Sequence, residues 1–276
     1  MRKTLTIILI GIISMGIFSF LKKEKGTEKN NNSVILGMIL LKEPNSFDLK
    51  GTVNELTKKW HLKVNNKEGD NKTVVFDIED YHIAIATMDL RIPDNEVEKA
   101  AEYNYFWKNG VKETAKHKGH IILSITNAGK NLVKENLIYT KLASAVLNNS
   151  SSFGIYIGSR SLVLKKEFYL ANTELMSEEE LPLYNWIYFG LRKENEKQSI
   201  YTFGLTDFGK KEMEIVDSDK SLEELNDAMY NLVHYVISSD VRLNAGETIG
   251  FSADQKLQIS ESKGKFLEGT TLKIEY

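Results

Sequence analysis

Between residues 73 and 126, apolar and polar positions follow a sharper rhythm than elsewhere in the chain. The run TVVFDI ends at a Glu79-Asp80 turn and returns as YHIAIATM. In the returning run Tyr81, Ile83, Ile85 and Thr87 share one face, and His82, Ala84, Ala86 and Met88 the other. That two-residue period predicts a hairpin of strands. Pro93 stops the second strand, and Asn95 with Glu98 has the spacing of a capping box. The helix it predicts buries Val97, Ala100, Ala101, Asn104, Trp107, Val111 and Ala115 on one stripe. Gly119 ends it, and HIILSIT at 120–126 reads as the next strand.

The same reading extends to both ends. Residues 34–41 (VILGMILL) are continuously apolar, the mark of a strand buried on both sides. Ser46 is placed to cap a helix carrying Leu49, Val53, Leu56 and Trp60. A helix over 130–148 presents Val133, Leu137, Thr140, Ser144 and Leu147 inward. NNSSS at 148–152 then reads as a domain boundary. Beyond it come a strand at 153–158, a helix with Leu164, Phe168, Ala171 and Leu175, and an aromatic-rich hairpin of 185–192 with 199–205. A strand at 212–216 follows. Ser221 and Glu224 form a second capping box, for a helix burying Leu222, Leu225, Met229, Leu232, Val233 and Val236. Three short strands, at 248–251, 256–260 and 271–275, close the chain.

Both halves thus read strand, helix, strands, helix, strand, the split βαβ pattern of a ferredoxin-like sandwich written twice. The predicted fold class is α+β: two tandem ferredoxin-like units with mainly antiparallel sheets and helices on one face. The expected divisions are a hydrophobic N-terminal helix over 1–24, a polar linker over 25–33, and units over 34–150 and 151–276.

Residues 5–21 are uncharged and mostly apolar, with Arg2 and Lys3 before them and Lys22, Lys23 and Lys25 after. This is the short end of membrane-spanning length, and the flanking lysines favour an anchor over a cleaved leader. The expected location is a membrane anchored through 5–21, with the remaining chain on the cytoplasmic side. A start at Met15 would remove most of the apolar run and leave a cytoplasmic protein.

Composition narrows function chiefly by exclusion. The chain has 276 residues, a formal charge of −2 and no cysteine. There is no basic stripe to compete for phosphates, so no nucleic-acid partner is expected. Without cysteine there are no disulfides, thiolate nucleophiles or cysteine-held zinc.

From residue 34 onward the chain resembles a bacterial family known as domain of unknown function 4261. The resemblance is carried by ILGMILL at 35–41, HIAIATMDLRIPDNEVEKAAEYNYFW at 82–107 and HKGHIILSIT at 117–126. In the second half it is carried by YTFGLTDFGKKEMEI at 201–215 and by GETIGFSADQKLQISESKGKFLEGTTLKIEY at 246–276. It implies a fold and no reaction. The second half is also similar to suppressor-of-fused-type domains, many of which act as immunity proteins beside bacterial toxins.

Candidate chemistry is sparse. His117 and His120 stand three apart, a spacing that places two zinc ligands together on a helix. Gly119 interrupts that helix, no carboxylate completes the set, and the bland reading is one surface and one core histidine. NAGKN at 127–131 follows a strand and opens a helix, like a phosphate-binding loop. Ser124 and Asn131 stand where the motif needs its first glycine and its hydroxyl. Asp77, Glu79 and Asp80 cluster at a hairpin tip, where carboxylates stay solvated and ordinary. Asn104 is the oddity: an amide on an apolar stripe beside Trp107 needs partners, either irregular backbone or a ligand. The expectation is a non-catalytic interaction protein, plausibly immunity-like, with an unidentified protein partner and no cofactor or metal. The rival is an enzyme of unrecognised type with a pocket near Asn104, His82, His120 and Trp107.

Overall fold

The computed structural model describes residues 33–177, 179–250, 252 and 255–276. The expected anchor over 5–21 lies outside them. Among the described residues no helix is long and apolar enough to cross a membrane.

The apolar run at the start becomes β1 (Ser33–Leu41), central as its composition demands, between β5 (Gly119–Ala128) and β6 (Ser152–Ile157). Helix α1 (Leu49–Lys58) follows, capped by Asp48, which accepts from the amides of Lys50 and Gly51. Ser46, the expected cap, instead bonds Ser151 across the sheet end. The hairpin forms as β3 (Thr73–Ile78) and β4 (Tyr81–Met88), with Glu79 left-handed in the turn. A polar strand that periodicity does not reveal, β2 (Val64–Gly69), lines its outer edge. With β7 (Leu162–Lys165), the sheet order is β2-β3-β4-β5-β1-β6-β7.

Every pair in this seven-stranded sheet is antiparallel. A split βαβ unit requires a parallel pair formed by a helical crossover, so the first half is not ferredoxin-like. Nor does the first sheet end at 148–152. The chain continues through β6 and β7, and helix α5 (Lys166–Glu174) still contributes Tyr169 to the first core.

Both faces of the sheet are covered. On one, Ile39, Ile121, Leu123 and Ile155 meet α1, α5 and helix α4 (Leu132–Asn148). On the other, Leu40, Ile122, Ala84 and Ala86 are also buried, and residues 89–118 pack on it at His120 of β5, Gly154 of β6 and Val163 of β7. The expected long helix here is two short ones, α2 (Glu96–Ala101) and α3 (Gly110–Thr114), separated by an irregular turn. Asn95 makes no cap: it and Asp94 are both left-handed, at φ 52° and 59°. Val111 and Ala115, expected inside, are exposed.

The second half builds a six-stranded sheet ordered β11-β12-β13-β10-β9-β8. Its strands are β8 (Tyr188–Glu194), β9 (Lys197–Phe203), β10 (Met213–Ser218), β11 (Thr248–Ile249), β12 (Leu257–Lys263) and β13 (Thr270–Ile274). β10 and β13 run parallel, joined through helix α6 (Leu222–Ser238). The Ser221/Glu224 capping box of α6 is present as the sequence implies.

Helix α4 joins the two layers. Its Ile138, Tyr139, Leu142 and Val146 belong to the first core, whereas Leu132, Val133 and Leu137 pack on the second. Of the stripe expected on the inner face, Val133 and Leu137 therefore pack on the second half, while Leu147 lies in the first core.

Candidate functional site

The predicted site residues are dispersed by the sheet. His120 stands opposite Met88 on β4. His82 lies six residues back along that strand, about 20 Å away at a rise of about 3.3 Å per residue. Asn104 donates to the carbonyl of Val163 on β7. Four strand spacings separate β7 from β4, about 19 Å. No single ligand of ordinary size reaches all three.

Each of these residues already has local partners. His82 is half-exposed and pairs through Nδ1 with Asp77 Oδ1 at 2.7 Å on the hairpin. His120 is buried, its Nδ1 2.9 Å from the Leu90 carbonyl. Burial holds its imidazole pKa below the ordinary value, against the opposing pull of that carbonyl. Asn104 Oδ1 accepts from the amide of Phe106 at 2.9 Å, so both ends of the side chain tie down irregular backbone. Trp107 is buried against Gly154, and its indole N–H donates to Glu113 Oε2 at 3.0 Å. The space beside Asn104, lined also by Phe106, Val163, Tyr184 and Tyr188, amounts to about 10 Å³. That holds one water at most.

His117 is buried within the cover. Its Nε2 accepts from the Ile92 amide at 2.8 Å, and its Nδ1 donates to the Thr114 carbonyl at 2.6 Å. His117 and His120 therefore spend ring nitrogens on backbone. Among the described residues no three histidine or carboxylate groups gather as metal ligands.

The loop resembling a phosphate-binding loop does present a nest of amides, and the protein fills it itself. Glu135, fully buried on the first turn of α4, accepts from the amides of Gly129, Lys130 and Asn131 at 2.7–2.9 Å. Two more carboxylates do the same in the second half. Glu212 takes Thr202 Oγ1 and the amides of Gly204 and Thr206; burial still raises its pKa. Glu214 takes the amides of Lys265 and Phe266 and the ammonium of Lys273. Burial pushes Glu214 upward, but these donors outweigh it and its pKa is lowered. The result is three rigid turns with no vacant anion site.

What the helical reading concealed is the turn between α2 and α3. Tyr103, Tyr105 and Phe106 are 57%, 41% and 43% exposed. Phe106 stacks on Phe168 at 4.7 Å and meets Tyr184 at 5.2 Å. Tyr188 Oη donates to the Tyr103 carbonyl at 2.9 Å, and the Arg192 guanidinium lies 5.8 Å from the Tyr103 ring centre. The exposed rings thus stand on half-buried aromatics, Phe168 and Tyr188 beside the first core and Tyr184 beside the second. The signal available in the sequence was YNYFW, four aromatic rings in five residues, more than one helical face can bury.

A wide groove of about 840 Å³ lies at the far end of α6, lined by Leu232, Tyr235, Arg242, Leu243, Glu247 and Ile249. It receives none of the predicted site residues.

Residues 201–275 match the family described as a domain of unknown function (DUF4261). The matched stretch runs from β9 to β13 and includes the Glu212 and Glu214 nests and all of α6. It supports the family resemblance across most of the six-stranded sheet and brings no reaction with it. No curated protein and no solved structure matches the chain.

Proposed function

We propose that the protein is a non-catalytic binding protein whose contact surface is the aromatic turn at 103–106. The observation that carries this reading is the outward placement of Tyr103, Tyr105 and Phe106, with Phe106 packed on the rings of Phe168 and Tyr184. Rigid, amphipathic rings give large contact area at low entropic cost, which is why such residues dominate protein-binding hot spots. An enzyme with a pocket near Asn104, His82 and His120 is disfavoured by their separation and by their internal partners.

The finer form of the proposal is an immunity-like role with a protein toxin as partner, resting on the resemblance of the second half to suppressor-of-fused-type domains. Membership of the DUF4261 family from residue 34 onward, and anchoring to a membrane through 5–21, belong to the same reading. Salt-resistant membrane fractionation of the chain with and without residues 1–14 tests the anchor. Equal partitioning would remove it from the proposal.

Photo-crosslinking in cells tests the surface. A photoreactive phenylalanine analogue at position 103 or 105 is expected to give one discrete protein adduct, and the same analogue at exposed Lys67 none. Absence of an adduct, or identical adducts from all three positions, would overturn the assignment.

A further inference from the structure

We infer that residues 89–118, which pack on the back face of the seven-stranded sheet from β5 to β7, are a pH-gated cover latched by His117. Two buried histidines reach the same short turn. His120 Nδ1 meets the carbonyl of Leu90, and His117 Nε2 receives the amide of Ile92. This turn is where the chain leaves β4 and begins the cover. It leads at once into Asp94 and Asn95, two consecutive left-handed residues that are not glycine. Such backbone persists only where its surroundings hold it.

The latch needs a neutral ring. Because Nε2 accepts from Ile92, the single proton of His117 resides on Nδ1, where it is donated to Thr114. A second proton, taken from solvent onto Nε2, would point one donor at another. The Ile92 bond breaks and the ring must turn. An acceptor is available for it: Glu98 is buried, and while one of its oxygens pairs with Arg91, Oε2 has no partner.

The charges around His117 are mixed. Glu98 favours the cation, whereas Arg91 and His120 oppose it. Lys116 and Lys118 flank it in sequence; both are exposed, and Lys118 is paired with Glu43. Burial outweighs the attraction of Glu98 and lowers the pKa of His117, as it does for His120. The closed cover therefore prefers neutral rings. As pH falls below about 6.5, the ordinary imidazole value, the open form gains at the expense of the closed one.

The cover carries the 103–106 turn, so its opening would rearrange the proposed contact surface, and this consequence rests on that reading. The latch itself is tested without any partner, by hydrogen exchange of the full chain between pH 7.5 and 5.0, corrected for intrinsic rates. Residues 89–118 are expected to lose protection by about tenfold, the response of one linked proton, while β3 and β4 hold theirs. In His117→Gln, whose amide oxygen can accept from Ile92 and cannot titrate, the loss should shrink to the part that His120 contributes. In Glu98→Gln, which removes the favourable charge, its midpoint should move to lower pH. The proposal fails if 89–118 is equally protected at both pH values, if His117→Gln loses as much protection as the wild type, or if Glu98→Gln leaves the midpoint unchanged. Should His117→Gln not fold, NMR titration of the wild-type imidazole decides. Its midpoint must coincide with that of opening, and distinct midpoints would overturn the latch. Crosslinking at pH 7.5 reports on the contact surface independently.

Discussion

Helices α4 and α6 are the same length, 17 residues each, and do opposite work. α6 is amphipathic: Leu225, Met229, Leu232, Val233 and Val236 enter one core, while Glu223, Asp227 and Tyr235 face outward. α4 lies between two layers, and its buried residues include Glu135, Asn136, Thr140 and Ser144. A helix buried on most sides has no solvated face on which to place polar groups, so each must find a partner inside. Glu135 holds the preceding loop. Thr140 accepts from the Trp186 indole at 2.8 Å, and Ser144 donates to Thr173 at 3.0 Å. Asn136 accepts from buried Arg160, which also binds Asp207. Of these, the Thr140 bond reaches Trp186 of the second core, and Arg160 carries the Asn136 bond on to Asp207 in the second half. A polar residue in a buried helix is here a joint between layers, and its presence is no indication of chemistry.

The largest expected effect comes from removing the layer that only α6 depends on. Truncation after Gly269 deletes β13, which lies inside the sheet between β10 and β12. Burial of Leu272 and Ile274 is worth about 1.5–3 kcal/mol each. Loss of Lys273 leaves fully buried Glu214 without its counter-ion, about 3–5 kcal/mol more. Against a typical stability of about 5–15 kcal/mol, the six-stranded sheet should not survive. Hydrogen exchange should show α6 unprotected and α4 weakened along Val133 and Leu137, with β3 to β5 still protected. Loss through the whole molecule would show that the two helices do not differ in dependence.

Acid should separate the layers in the other direction. His117 and His120, buried neutral beneath the first sheet's cover, withdraw stability as pH falls through about 6.5, by at most about 1.4 kcal/mol per pH unit each. The buried carboxylates of the second half act differently over the same interval. Glu214, with its lowered pKa, stays ionised and keeps its contribution until pH falls below the ordinary carboxylate range. Glu212, with its raised pKa, is protonated more readily in the folded protein, so acid does not weaken the fold through it. Residue-level exchange at pH 5.5 should therefore report losses in 89–118 before any in β8–β13.

Smaller effects test the helices singly. Thr140→Val removes the acceptor of a buried indole and should cost about 1–3 kcal/mol in denaturant unfolding. No change would mean that the Trp186 bond is not a joint. Ser221→Ala removes the α6 cap and should cost about 1 kcal/mol, with the loss confined to the first turn and the strands it packs on.

Much of the fold was legible where burial is one-sided or complete. The period-2 hairpin, the all-apolar β1 and the amphipathic, boxed α6 all appear near their expected positions. Less was legible where polar residues carry the structure. β2 has little apolar pattern, and the break at 102–109 lies within residues that also satisfy a helical stripe. Asn104, an amide on an apolar stripe, needs partners, and backbone at Val163 and Phe106 supplies them.

The sequence by itself determined which segments pair locally, because strand alternation is set by neighbours a few residues away. It also contains no cysteine. Only the tertiary structure decided that every pair of the first sheet is antiparallel and that β6 and β7 belong to it. It also decided that α4 turns its Val133–Thr140 stripe to the second half, and that Tyr103, Tyr105 and Phe106 face outward. The reason is physical: a helix apolar on several sides, or a turn of five bulky residues, has no unique buried face until another layer is placed against it.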